Sequence, residues 1–165
     1  GKTPHLCGGR ADGRVPRRIF QGQDMRITSR SLESRTFGVV VDTSGSMSAK
    51  QIGMALGSIA SYAAAKDVPF VRIIFCDAKA TDAGYLAPED IAGRVKVTGR
   101  GGTILQPGVD CLEQANDFPK DGPILIITDG EIENDLKVRR EHAFLLPRGN
   151  RLPFRARGEV FYFRE

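Results

Sequence analysis

The sequence predicts an α/β fold: an open, doubly wound, mostly parallel sheet flanked by helices, followed by a strand-rich C-terminal tail. Two observations carry that expectation. The stretches "FGVVVD" (37–42), "PFVRIIFCD" (69–77) and "GPILIITDG" (122–130) are near-continuous apolar runs, as strands buried on both faces require. The segments between them are long enough to cross back over a sheet, and two of them carry a helical pattern. At 165 residues and 41% hydrophobic, the chain has the length and apolar content for one domain with a real core.

Residues 1–35 read as a basic N-terminal arm or linker, and residues 36–165 as the domain. Within the arm, 1–17 are rich in Gly and Arg and poor in apolar groups, which predicts flexibility. Residues 18–35 scatter Ile19, Phe20, Met25, Ile27 and Leu32 without a period, enough for partial packing on the domain. The chain opens on Gly1 rather than Met and is expected to be a piece of a longer protein.

After the first strand, residues 49–66 place Ile52, Ala55, Leu56, Ile59, Ala60 and Ala63 on one helical face. Gly53 and Gly57 weaken that helix intrinsically, a cost that close approach to the sheet would offset. "KDVP" ends it. The second strand follows at 69–77, then turn chemistry with a short edge strand near 79–83. Pro88 with Glu89 and Asp90 opens a short helix, because Pro is tolerated and acids are favoured in a first turn. "RVKV" (94–97) reads as extended, and "TGRGGT" as a loop that needs glycine's backbone freedom. A second long helix is expected from about Thr103, with Pro107 in its first turn and Leu105, Val109, Leu112 and Ala115 or Asn116 as its apolar face. Beyond the strand at 122–130 and "EIENDLKVRRE", the segments "HAFLLP", "LPF" and "GEVFYF" read as strands joined by turns.

Charge is segregated. Residues 1–36 hold eight Lys/Arg against three Asp/Glu, residues 37–136 eight against fourteen, and residues 137–165 eight against three. An acidic middle between basic flanks differs from the uniform basic face of a dedicated nucleic-acid binder. The flanks read as solvated surface, with contact to an acidic partner or to RNA as the alternative. No apolar run approaches the roughly 18 residues of a membrane span. The N-terminus has no apolar core of a secretory signal. A cytoplasmic protein without membrane contact is expected. Cys7, Cys76 and Cys111 are scattered, and with His5 and His142 they show no zinc-finger spacing, so they read as free thiols in a reducing compartment.

Three loops should meet beyond the carboxyl ends of the strands, where ligands sit in such sheets. They carry Asp42-x-Ser44-x-Ser46, then Thr103 after "GRGG", then Asp129 in "TDGE". Two carboxylates and three hydroxyls, with no His or Cys, suit a small hard cation such as Mg²⁺. Hydroxyls compensate less charge than carboxylates, so the ion keeps its appetite for one more anionic oxygen. Local alternatives exist for each part: Ser46 or Ser48 as a helix cap, Thr103 as another, Asp129-Gly130 as a plain turn. Asp77 reads as a turn residue, with a supporting role at the site as the alternative.

"VVVDTSGSMS" resembles the metal-ion-dependent adhesion motif of von Willebrand factor type A (VWA) domains. "GRGGT" resembles the loop carrying that motif's Thr, and "LIITDGE" the strand and turn carrying its last Asp. The resemblance covers about residues 37–135 and fills the motif at Asp42, Ser44, Ser46, Thr103 and Asp129. The wording looks closer to bacterial intracellular members than to integrin domains. The resemblance implies a Rossmann-like sheet binding Mg²⁺ or Mn²⁺, with an Asp or Glu of a protein partner completing the coordination. It further implies that Ser44 and Ser46 ligate directly, and that Asp42, Asp129 and Thr103 do so directly or through water. The family usually adds helices after the point where this chain turns to strands.

The function expected is therefore a divalent-metal-dependent protein–protein interaction module rather than an enzyme. A haloacid-dehalogenase-type phosphatase needs a second Asp two residues after the first as general acid, and Ser44 stands there. "GRGGTIL" lacks the Lys of a P-loop, and no nucleophile shows recognisable spacing to His142. An RNA-associated role resembling that of type A domains in Ro-type proteins is the other alternative. However, "PRR" and "RARG" lack interleaved aromatics apart from Phe20 and Phe154.

Overall fold

The computed structural model describes residues 36–94 and 104–164; the basic arm, residues 95–97 of "RVKV", and Thr103 lie outside the described residues. The elements run Gly38–Asp42 (β1), Ala49–Ala65 (α1), Val71–Cys76 (β2), Ala80–Leu86 (β3), Pro88–Ile91 (α2), Gln106–Gln114 (α3), Ile124–Ile127 (β4), His142–Pro147 (β5) and Glu159–Phe163 (β6). The strands form one six-stranded sheet in the order β3-β2-β1-β4-β5-β6. Only the β2–β3 pairing is antiparallel; β1 pairs with β2 and β4, β4 with β5, and β5 with β6, all in parallel.

The chain winds outward from β1 to β2 and β3, then returns to β4 on the other side of β1. That reversal opens a crevice between the carboxyl ends of β1 and β4. Asp42 ends β1, and Thr128 with Asp129 follows β4, so the winding itself brings these residues together.

Every residue of β1, β2 and β4 is buried, which explains why these strands read as apolar runs. Val39, Val41, Ile73, Leu125 and Ile127 face α1 and Ile91 of α2. Val40, Ile74 and Ile126 face Leu105, Val109 and Leu112 at α3. Each such side chain contributes about 1.5–3 kcal/mol relative to exposure. Two charged residues break these runs: Asp42 at the tip of β1, and Arg72 in β2, which is only 5% exposed. Its guanidinium reaches Asp82 at 2.6 Å and Asp117 at 2.8 Å and lies over the Tyr85 ring at 4.9 Å.

α1 begins with a capping box: Ser48 Oγ accepts from the Gln51 N–H, and Gln51 Oε1 accepts from the Ser48 N–H. Its buried residues Ile52, Ala55, Leu56, Ile59 and Ala63 follow the expected stripe. Gly57 departs from expectation. A Cβ there would meet no atom within 4 Å, so no close approach to the sheet offsets its intrinsic cost. Close approach occurs instead on α3, where a Cβ on Gly108 would come within 2.8 Å of Val40 Cγ1.

α3 starts at Gln106, three residues later than the pattern suggests, with Pro107 in its first turn as expected. Its N-cap, Leu105, has no side-chain cap. The orphan N–H groups of Leu105 and Gln106 are instead satisfied by the distant Glu133 carboxylate at 2.9 Å each. The edge strand is longer than expected, reaching Leu86 through an irregularity opposite Ile73/Ile74. In the tail, "HAFLLP" and "GEVFYF" supply β5 and β6, but "LPF" is not a strand. Both parallel crossovers here, 128–141 and 148–158, run without a helix. Ile132, Leu136, Val138, Leu152 and Phe154 on these segments pack against the α3-side core in place of one.

Candidate metal centre

Asp42 is fully buried at the tip of β1. Its Oδ1 accepts from the Ser44 N–H at 2.9 Å, and its Oδ2 accepts from Thr128 Oγ1 at 2.7 Å. The Thr128 hydroxyl accepts in turn from the Gly130 N–H at 3.1 Å. These bonds fix the carboxylate between two loops and leave each oxygen a further lone pair. The turn after β1 is closed by the Met47 N–H on the Ser44 carbonyl at 3.0 Å, and the buried Met47 side chain pins it to the core.

Within that turn the Ser44 and Ser46 hydroxyls stand 3.1 Å apart. Ser44 is buried and Ser46 exposed, so the pair runs from the protein interior to solvent. Of the two serines that could have capped α1, Ser48 does so. Ser46 is thus spared a capping role. The hydroxyls of the Ser44-x-Ser46 spacing meet on the turn that follows Asp42.

Asp129 is 4% exposed. Its Oδ1 accepts from the Glu131 N–H at 3.0 Å, and its main-chain carbonyl accepts from Asn150 Nδ2 at 2.9 Å. Gly130 is required here: its φ is +94°, and a Cβ would collide with the Arg151 carbonyl. Thr103 lies outside the described residues. Asp77 closes a turn, its Oδ1 accepting from Ala78 at 2.7 Å, as the simpler reading had it.

The electrostatics point one way. Burial raises the Asp42 pKa above the ordinary carboxylate value, and the Asp129 charge pushes it further; the Ser44 and Thr128 hydrogen bonds oppose this only in part. Neither Asp42 nor Asp129 has a cationic partner among the described residues. The buried Asp42 carboxylate, with the Asp129 charge acting on it and no such partner there, favours either a proton or a bound cation.

The donor set fits a hard divalent ion. No cluster of three or more His, Cys, Asp or Glu that could hold a metal occurs among the described residues. An ion here would therefore draw on serine hydroxyls beside Asp42 and Asp129, an oxygen-only set suited to Mg²⁺ or Mn²⁺. Cys76 and Cys111 are free; Cys76 pairs in register with Asp42, but burial pushes its thiol up to about 12, far from nucleophilic. His142 starts β5, with Nδ1 2.8 Å from the Arg140 carbonyl and its ring edge-on to Phe144.

Sequence reasoning missed Thr128, Glu133 and Asn150. Thr128 directly precedes Asp129, and a hydroxyl at a strand's carboxyl end was the available signal. Glu133 and Asn150 act through main-chain groups far away in sequence and left none. A family model described as a VWA-like domain (DUF2201) matches residues 37–139. A comparison with curated proteins found no match. The match spans β1 to β4 and the loops bearing the acidic residues, well over half of the chain, and the chain belongs to the VWA-like domain (DUF2201) family.

Proposed function

We propose that this chain is a divalent-metal-dependent protein–protein interaction module, with Asp42, Ser44, Ser46, Thr103 and Asp129 as a metal-ion-dependent adhesion site. The observation that supports it most is the pair of buried carboxylates, unpartnered by any described cation, beside two hydroxyls 3.1 Å apart. Bound Mg²⁺ or Mn²⁺ would supply Lewis acidity toward an Asp or Glu oxygen of the partner. The protein's own part is positional. Thr128 and the Ser44 N–H hold Asp42 in one orientation, Met47 holds the serine turn, and Gly130 with Asn150 holds Asp129.

The same reading makes the chain a binder rather than an enzyme, of the bacterial intracellular type. Free Cys76 and Cys111 suit a reducing cytoplasm, and no helix among the described residues is long and apolar enough to cross a membrane. The test is capture of protein from a bacterial lysate with and without a chelator. Capture that needs Mg²⁺ or Mn²⁺, survives nuclease and is lost in Asp129→Asn supports the proposal. Nuclease-sensitive capture would instead favour the RNA-associated role. Metal-dependent turnover of a phosphate ester, lost in Asp42→Asn, would favour the hydrolase.

A further inference from the structure

β1, β4, β5 and β6 are mutually parallel, so their carboxyl ends share one sheet edge. Asp42 and Asp129 stand at the ends of the first two. At the ends of the other two, a concavity of about 530 Å³ is lined by Arg148, Gly149, Asn150, Arg151, Tyr162 and Arg164. The three arginines are exposed, and none has an ion-pair partner among the described residues. Tyr162 is 52% exposed, the most exposed large hydrophobic side chain described.

This pocket is built on ordered backbone. The Arg148 N–H bonds the Phe163 carbonyl at 2.9 Å, and the Asn150 N–H closes a turn on the Pro147 carbonyl at 3.1 Å. Gly149 takes the positive φ of +95° that the turn requires. The pocket also touches the acidic centre: Asn150 Nδ2 bonds the Asp129 carbonyl, and the Arg151 carbonyl packs on Gly130.

We propose that this arginine pocket is a second recognition site for an acidic segment of a protein partner, engaged together with the carboxylate taken at the metal centre. The inference rests on the metal-dependent reading above. Guanidinium groups bind carboxylates through paired N–H donors, and the Tyr162 hydroxyl offers one more. Neighbouring strands lie about 4.8 Å apart, so β6 is about 10 Å from β4 along the edge. A peptide in the polyproline II conformation rises about 3.1 Å per residue and returns to the same face every third residue, which puts the second acidic residue three positions from the first. A phosphate backbone following the same edge would run past Asp129 and the exposed Glu131. Single-strand nucleic-acid grooves also stack successive bases on several aromatics, and this pocket has one.

The probes are fluorescent Gly/Ser peptides carrying one glutamate, or two glutamates three positions apart, measured by anisotropy with the full chain in Mn²⁺. The two-glutamate peptide should bind on the order of tenfold tighter. Arg148→Ala/Arg164→Ala should abolish that advantage while leaving Mn²⁺ binding intact. Arg155→Ala/Arg157→Ala, which removes the same charge outside the pocket, should preserve it. Equal affinities for the two peptides, an advantage that survives the first double variant, or an oligouridine that displaces the peptide would each overturn the proposal. The two-glutamate peptide is also measured in chelator. Binding there that depends on Arg148 and Arg164, in a chain that shows no Mn²⁺ response, would refute the metal reading and leave the pocket standing.

Discussion

Thr128 Oγ1 donates to Asp42 Oδ2 across 86 positions of sequence, at 2.7 Å and out of contact with water. This bond joins the two sides of the crevice at which the sheet reverses its winding. It makes the geometry of one acidic loop depend on the other.

Thr128→Val keeps the shape of the side chain and removes the hydroxyl. Asp42 then loses one hydrogen bond, and the Gly130 N–H loses its acceptor. Stability should fall by about 1–3 kcal/mol, the cost of leaving buried polar groups unmet. Metal affinity should fall about tenfold, the lower end of what losing a partner of a ligand costs. Thr128→Ser, which restores the hydroxyl, should recover most of both. Urea denaturation and a Mn²⁺ titration read the two effects, and a Val variant matching wild type in both would show the bond to be incidental.

Two of the helix glycines, Gly57 and Gly108, should respond in opposite directions. Gly57→Ala fills open space and removes a flexible residue from α1, so it should stabilise by about 0.5–1 kcal/mol. Gly108→Ala drives a methyl into Val40 and should destabilise by about 1–3 kcal/mol. Urea midpoints that moved the same way for both would contradict the packing described for α3.

Arg72 makes stability depend on acid. Burial alone would raise the Asp82 pKa, but the hydrogen bonds from Arg72, helped by the Gly84 N–H and the Arg72 charge, outweigh it and lower the value below 3.8. A carboxylate depressed in the folded state stabilises fully above its unfolded pKa, and that contribution disappears as pH falls through the folded value. Arg72→Met should therefore be less stable than wild type near neutral pH, with the difference shrinking below about pH 3.9. Circular dichroism across an acid titration measures this; a difference that stays constant to pH 2 would show that lost packing, not charge, sets the effect.

The contrast between what the residues announced and what they did not is physical. Asp42, Ser44 and Ser46 are near neighbours after an apolar run, so local spacing alone places them on one turn. Asp129 was legible because it ends a second such run. The fold class followed from the same runs, since strands buried on both faces cannot alternate. The start of α3 was not legible, because its cap is the Glu133 carboxylate, 27 residues past Gln106. The helix-free β4–β5 and β5–β6 crossovers were legible as strands joined by turns, but what covers the sheet there was not. Scattered apolar residues such as Ile132 and Phe154 cover the sheet there without a period to reveal it. Gly57 looked like a packing residue because glycine in a helix usually has a reason, and only the empty space beside it shows otherwise.

The most direct measurement is a calorimetric titration of the metal-stripped chain with Mn²⁺, repeated on Asp42→Asn and Asp129→Asn, with thermal melts of each. Asn at position 42 keeps the shape and relieves a buried charge but can accept at only one of the two oxygens, so the melt of each variant is compared with and without Mn²⁺ rather than with wild type. The account predicts one Mn²⁺ per chain in wild type, with a raised melting temperature, and no binding and no rise in either variant. Wild-type chain that takes up no Mn²⁺, or variants that bind it as wild type does, would contradict it.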